Sequence, residues 1–103
     1  MQLSAFKMSL KPGMQQEYQT RHDSIWPELQ ALLKASGIVE YSIFFDAETS
    51  LLFAVQKKTD TSNTDDLKND PIMQKWWSYM AGLMEINPDG SPVVIPLKNV
   101  FTL

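Results

Sequence analysis

Apolar and polar residues alternate at the start of the chain, where Phe6, Met8 and Leu10 are separated by Lys7 and Ser9. A period of two predicts a half-buried strand, and Lys11-Pro12-Gly13 closes it with turn-forming residues. From Met14 the period lengthens. At about 100° per residue, Met14, Tyr18, His22, Ile25, Leu29, Leu32 and Leu33 fall within an arc of roughly 100°, one face of an amphipathic helix. The helix is predicted to stop at Ser36-Gly37. Pro27 interrupts it: without an N–H to bond the Asp23 carbonyl, the helix kinks or restarts there, with Asp23 or Ser24 as the candidate cap.

Alternation returns at Val39, Tyr41, Ile43 and Phe45. A five-residue turn, Asp46 to Ser50, and a third strand from Leu51 to Lys57 make this a hairpin. Thr59 to Asn69 is polar, with room for a short weak helix. Asp70-Pro71 opens a second strong helix, aspartate as cap and proline in the first position. Its broad apolar face carries Met73, Trp76, Trp77, Tyr79 and Met80, with Gln74, Lys75 and Ser78 opposite. Ile86 to Pro92 is loop, and Leu97 to Leu103 can return as a last strand.

The order is β-α-β-β-α-β, an α+β chain with an antiparallel sheet in the ferredoxin-like, split βαβ arrangement. Helices cover one face of such a sheet. Yet strands two and three are apolar on both sides, since Phe44 opposes Ile43 and Phe45, and Leu52 and Ala54 oppose Leu51, Phe53 and Val55. A sheet apolar on both faces needs a second cover, which in a chain this small is another copy, sheet to sheet.

Length and composition narrow the class. One hundred and three residues, 44% hydrophobic, read as a single globular domain over 1–103. A net charge of −3 without a basic cluster argues against nucleic acid or an anionic membrane as partner. No cysteine is present, which excludes disulfides and thiol chemistry and suits a reducing compartment. The longest uninterrupted apolar run, Leu51 to Val55, is far short of a membrane span, and the first ten residues lack a signal peptide's apolar core. These features predict a soluble, cytoplasmic protein.

Several chemistries have no residues to carry them. The four glycines show no phosphate-loop spacing, and one histidine without cysteine makes a poor transition-metal site. No serine stands in a nucleophile elbow. What remains is His22 with Tyr18, Tyr41 and Tyr79, and Trp26, Trp76 and Trp77. That set suits a small neutral ligand with hydroxyls and an apolar face, a single imidazole moving the proton. The bland alternatives stay open on pattern alone: His22 as a satisfied core histidine, Tyr18 and Trp26 as core aromatics, Trp76 and Trp77 as helix-to-sheet packing.

Four segments carry a resemblance: Glu17-Tyr18-Gln19-Thr20-Arg21-His22, Ile25-Trp26-Pro27-Glu28-Leu29, Lys75-Trp76-Trp77-Ser78-Tyr79-Met80 and Asn87-Pro88-Asp89-Gly90-Ser91-Pro92. Together with Ser50-Leu51-Leu52-Phe53-Ala54 they make the chain similar, from about Ala5 to Phe101, to the L-rhamnose mutarotase family. The resemblance implies a dimeric α/β barrel of ferredoxin-like protomers, working without metal or organic cofactor. It also implies an isomerase that interconverts the α and β anomers of L-rhamnopyranose in a cytoplasmic sugar pathway. Carried over by position, His22 matches the proton donor, and Tyr18, Tyr41, Trp76 and Trp77 match the sugar-binding residues. Asp23-Ser24 departs mildly from the family pattern, and Thr59 to Lys68 resembles it least.

The chemistry suits those residues. Opening a hemiacetal gives the ring oxygen a proton and takes one from the anomeric hydroxyl, and histidine can do either near neutrality. The second acid or base is open among a tyrosine, a carboxylate and water. Competing functions are a mutarotase for L-fucose, a non-catalytic dimeric ligand-binding module, and a cofactor-free monooxygenase on the same barrel.

Overall fold

In the computed structural model, which describes residues 1–103, the alternating N-terminal segment forms strand β1 over Gln2–Ser9. Helix α1 covers Gln15–Asp23, and helix α2 starts afresh at Pro27 and runs to Ala35. Strands β2, Ile38–Asp46, and β3, Leu51–Lys58, form the hairpin. Its turn is tied by the Asp46 carboxylate, which accepts from the Glu48 amide at 3.1 Å and the Thr49 hydroxyl at 2.8 Å. A 3-10 segment at Thr64–Asn69 leads into helix α3, Pro71–Met80, and a further 3-10 turn at Ala81–Leu83. Strand β4, Ile95–Leu97, completes a sheet of order β2-β3-β1-β4 in which every neighbouring pair is antiparallel. This is the ferredoxin-like topology.

Register decides which side chains share a face. Met8 pairs with Leu52 and Phe6 with Ala54 across β1–β3, while Ile43 pairs with Ala54 and Phe45 with Leu52 across β2–β3. These residues point together towards the helices. Leu52 and Ala54 are 2% and 0% exposed there, and Leu29 of α2 packs into the same core at 1%. Burying a leucine side chain this fully stabilises the fold by about 1.5–3 kcal/mol. The opposite face carries Leu3, Phe44, Val55, Ile95 and Leu97, all exposed.

One joint ties the ends of the hairpin to the helices. Gly37 has φ +105°, and a Cβ there would stand 2.6 Å from the Cβ of Ser62. Only glycine meets both demands. Its carbonyl accepts from the Thr59 amide at 2.9 Å, and the neighbouring Ser36 carbonyl accepts from Asn63 at 2.9 Å.

Three details differ from the sequence expectations. The restart at Pro27 is capped by neither Asp23 nor Ser24. The residue before a proline is driven to extended backbone, so the N-cap position falls on Trp26 (φ −62°, ψ 132°), which offers no side-chain cap; Ser24 instead closes α1. Leu97 to Leu103 is not a strand: pairing covers only Ile95–Leu97. The Asn99 side chain accepts from the Phe101 amide at 2.9 Å, an Asx turn that leads the tail away from the ladder. Val39 leaves the alternation, because the β2–β3 register shifts between Ile38 and Glu40 and makes it the extra residue of a bulge.

Candidate active site

Between the helices and the covered face of the sheet lies a cavity of about 930 Å³. It falls within the range of about 300–1,000 Å³ expected of small-molecule sites. Tyr18 and His22 line it from α1, Tyr41 from β2, and Trp76 and Trp77 from α3. All five residues singled out in the sequence thus open onto one space. Met8 and Leu52 contribute apolar lining from the central strands, and Gly90 and Pro92 reach it from the loop after α3.

The local structure of α1 sets the histidine. Tyr18 and His22 are one turn apart, so their rings stack at 4.2 Å between centroids and 29° between planes. The imidazole Nδ1 lies 2.9 Å from the Tyr18 carbonyl oxygen. Trp76 meets the imidazole edge-on at 5.3 Å and 86°. Three contacts from two residues, Tyr18 and Trp76, therefore fix the ring. Burial holds the His22 pKa below its ordinary value, outweighing the Tyr18 carbonyl and the Asp23 carboxylate, both of which favour the charged form.

The phenols respond to burial in the opposite direction. Desolvation pushes Tyr41 up to about 12, against a hydrogen bond from Gln56, which pairs with it across β2–β3. Desolvation raises Tyr18 as well, reinforced by its proximity to Tyr41. Both hydroxyls are therefore neutral at ordinary pH.

Behind these residues stands an aromatic layer, Trp26 and Tyr79, which the sequence reading grouped with the ligand-facing aromatics and which does not line the cavity. Trp26 contacts Trp76 edge-on at 5.1 Å and Tyr79 at 5.6 Å, and Tyr79 lies 5.7 Å from Trp76. The Arg21 guanidinium sits 4.3 Å above the Tyr79 ring and donates to the Tyr79 carbonyl, joining the last turn of α1 to the end of α3. The signal was present in the sequence as Trp26 beside Pro27 and Tyr79 three residues after Trp76. Without the crossing of the helices, however, nothing showed that they meet. The loop at the cavity is braced from within. Asp89 accepts from the Ser91 amide at 2.9 Å, and these hydrogen bonds lower the Asp89 pKa; Asn87 donates to the Ser91 hydroxyl at 3.0 Å.

Chemically, the cavity offers an imidazole, two neutral phenols and two indoles. No three His, Asp or Glu side chains converge anywhere in the chain, and no helix is long and apolar enough to cross a membrane. This is equipment for holding a small hydroxylated molecule and moving protons on it.

Comparison with known proteins agrees in sequence and in shape. The model of the L-rhamnose mutarotase family matches residues 4–103. An L-rhamnose mutarotase from Bacteroides thetaiotaomicron is 56% identical over 101 residues, covering 98% of this chain and 97% of its own. One from Sinorhizobium fredii is 54% identical over 103 residues, covering 100% and 99%. The crystal structure of an L-rhamnose mutarotase from Formosa agariphila superposes with a TM-score of 0.93 at 51% identity, over 100% of this chain and 99% of that one. A Mycobacterium tuberculosis protein at 12% identity and TM-score 0.60, covering 97% and 95%, shares the fold alone. With its full length matched in sequence and in backbone, the chain belongs to the L-rhamnose mutarotase family.

Proposed function

We propose that this protein interconverts the α and β anomers of L-rhamnopyranose, with His22 carrying the proton transfer. Tyr18, Tyr41, Trp76 and Trp77 hold the sugar. One observation carries the reading: the single imidazole of the chain, braced by a tyrosine and a tryptophan, opens onto a cavity with two neutral phenols. A 6-deoxy sugar presents a methyl group and a C–H face to indoles and several hydroxyls to phenols. Mutarotation forms and breaks no high-energy bond, so a positioned acid and base supply most of the acceleration, about 10²–10⁴-fold each.

The exposed apolar face of the sheet supports a homodimer in which two copies bury Phe44, Val55, Ile95 and Leu97 against one another. Sedimentation equilibrium at micromolar concentration should give twice the 11.8 kDa chain mass. A cytoplasmic sugar pathway is the setting this assignment fits, with 1–103 acting as one domain.

Saturation-transfer NMR on equilibrated L-rhamnose, L-fucose and D-glucose tests the function directly. Exchange should be fastest with L-rhamnose, and His22→Ala should lose it by roughly 10²-fold or more while the protein stays folded. Full exchange in a folded His22→Ala variant would remove the histidine from this role.

A further inference from the structure

The cavity has two unlike halves. Every polar side chain that lines it stands on α1, α2 or β2, His22 and the two phenols among them. Strands β1 and β3 and helix α3 contribute Met8, Leu52, Met73, Trp76, Trp77 and Met80, and Met84 joins them just after the turn that follows α3. We propose that the four methionines of this second half are the specificity-determining wall of the site. They receive the C6 methyl group of the sugar and turn away a sugar that carries a hydroxyl there. The proposal rests on the mutarotase reading above and adds to it what selects the substrate.

The wall is continuous because separate elements converge on it. On α3, Met73, Trp76 and Met80 are spaced by three and four residues, which puts them on one helical face, and all three are buried. Met8 stands on β1 directly opposite Leu52 of β3, and Met84 bridges to Leu10 just beyond β1. Side chains from the helix and from the sheet belong to one core cluster. Four of the six methionines in the chain thus meet at one cavity. An unbranched thioether adapts its shape to a small apolar group and packs well beside aromatic rings.

What the wall lacks decides what it refuses. Its strongest polar side-chain atoms are the two indole N–H groups, which only donate, and thioether sulfur is a weak acceptor. A hydroxyl brought here leaves water and finds no good side-chain acceptor for its proton, which is unfavourable. A methyl group meets no such penalty. The wall also sets the position of the ring. The methyl group and the ring oxygen are both bonded to C5, so a methyl seated beside Trp76 keeps that oxygen near the imidazole, whose ring meets Trp76 at 5.3 Å. One contact therefore selects the sugar and aligns the atom that must gain a proton.

The test compares three sugars that share their ring and their hydroxyls at C1 to C4 and differ in what C5 carries. L-Rhamnose has a methyl group there, L-lyxose a hydrogen and L-mannose a hydroxymethyl group. Saturation-transfer NMR below saturation gives the exchange efficiency for each. Wild type should favour L-rhamnose over L-lyxose by about tenfold or more, and over L-mannose by about 10²-fold. Met80→Gln, of similar length but with an amide, should narrow the preference over L-mannose by about tenfold. Met80→Leu keeps the wall apolar and should keep that preference. Circular dichroism checks both variants for folding, and the ranking of the three sugars is read on wild type, so a variant that fails to fold leaves the test standing. Wild-type exchange of L-mannose within about twofold of L-rhamnose overturns the proposal, as does an unchanged preference in folded Met80→Gln. If wild type exchanges none of the three, the mutarotase reading falls, and indole fluorescence still tests the wall: tighter binding of L-rhamnose than of L-mannose supports it, and equal affinity overturns it.

Discussion

Two helices in this molecule begin in the same way and are finished differently. Both α2 and α3 have proline at the first position, Pro27 and Pro71, and in both the preceding residue is extended, with ψ 132° at Trp26 and 130° at Asp70. At α3 the Asp70 carboxylate accepts from the Ile72 amide at 2.8 Å, an ordinary N-cap. At α2 the same position holds Trp26, which caps nothing and instead packs its ring against Trp76 and Tyr79. A cap contributes about 0.5–2 kcal/mol to a helix, so α2 forgoes that much local stability. What it gains is an aromatic brace behind the residue that meets His22. The start at Asp70 is finished for its own helix, and the start at Trp26 for the aromatic layer behind the site.

The sharpest way to break this comparison is Trp26→Ala. Removing the ring should destabilise the fold by about 3 kcal/mol, the low end for a tryptophan truncated to alanine, because Trp26 is only partly buried. Anomer exchange should fall roughly tenfold or more as Trp76 and the imidazole lose their backing. Urea unfolding and saturation-transfer NMR measure the two effects. Trp26→Asp asks whether a cap can substitute for the ring. The carboxylate should recover about 1 kcal/mol at the helix start, yet exchange should stay as low as in the alanine variant. Recovery of activity in Trp26→Asp would show that the site needs a well-started helix and not the indole.

The matching change at the other helix is smaller. Asp70→Ala should cost about 1 kcal/mol, read as a lower urea midpoint, and leave exchange within about twofold of wild type. If it cost as much activity as Trp26→Ala, the division between the two helix starts would be wrong. The smallest effect is a dependence on pH at the end of α1. The His22 pKa is lowered in the folded protein, so between that value and the unfolded value of about 6.5 the unfolded chain binds more protons. This contribution to stability is complete above about pH 6.5 and is lost as pH falls towards the folded value. Urea midpoints on the two sides of that window should differ more for wild type than for His22→Gln, which cannot titrate there.

Much of this was legible in the chain itself. Alternation at Phe6, Met8 and Leu10, the Asp70-Pro71 start and the Gly37 stop are local signals, set by backbone geometry and the period of burial, and they appear where expected. Helix periodicity also put Tyr18 and His22 on one line, which is why they stack. Local rules failed where two of them competed. At Pro27 the cap preference of Asp23 and Ser24 lost to the extended backbone that a proline imposes on its predecessor. At the C-terminus the apolar content of Val100, Phe101 and Leu103 suggested a strand, but the Asx turn at Asn99 lies in its path.

What the sequence determined by itself was the list of elements, their order, and the residue types able to move a proton or face a sugar. Each depends on neighbours within about four positions, the reach of a helical turn or a strand pair. Which groups meet was decided only by the tertiary structure. His22 touches Trp76 over 54 residues of separation, Arg21 holds Tyr79 over 58, and Tyr41 meets Gln56 through a register set by the hairpin and its bulge. Those contacts depend on how α1, α2 and α3 cross above the sheet. They choose which ring the imidazole meets edge-on, which residue faces Tyr41 across the hairpin, and why a tryptophan stands where a cap belongs. Periodicity carries no information about any of them, because it fixes the face a residue shows and not what that face is packed against.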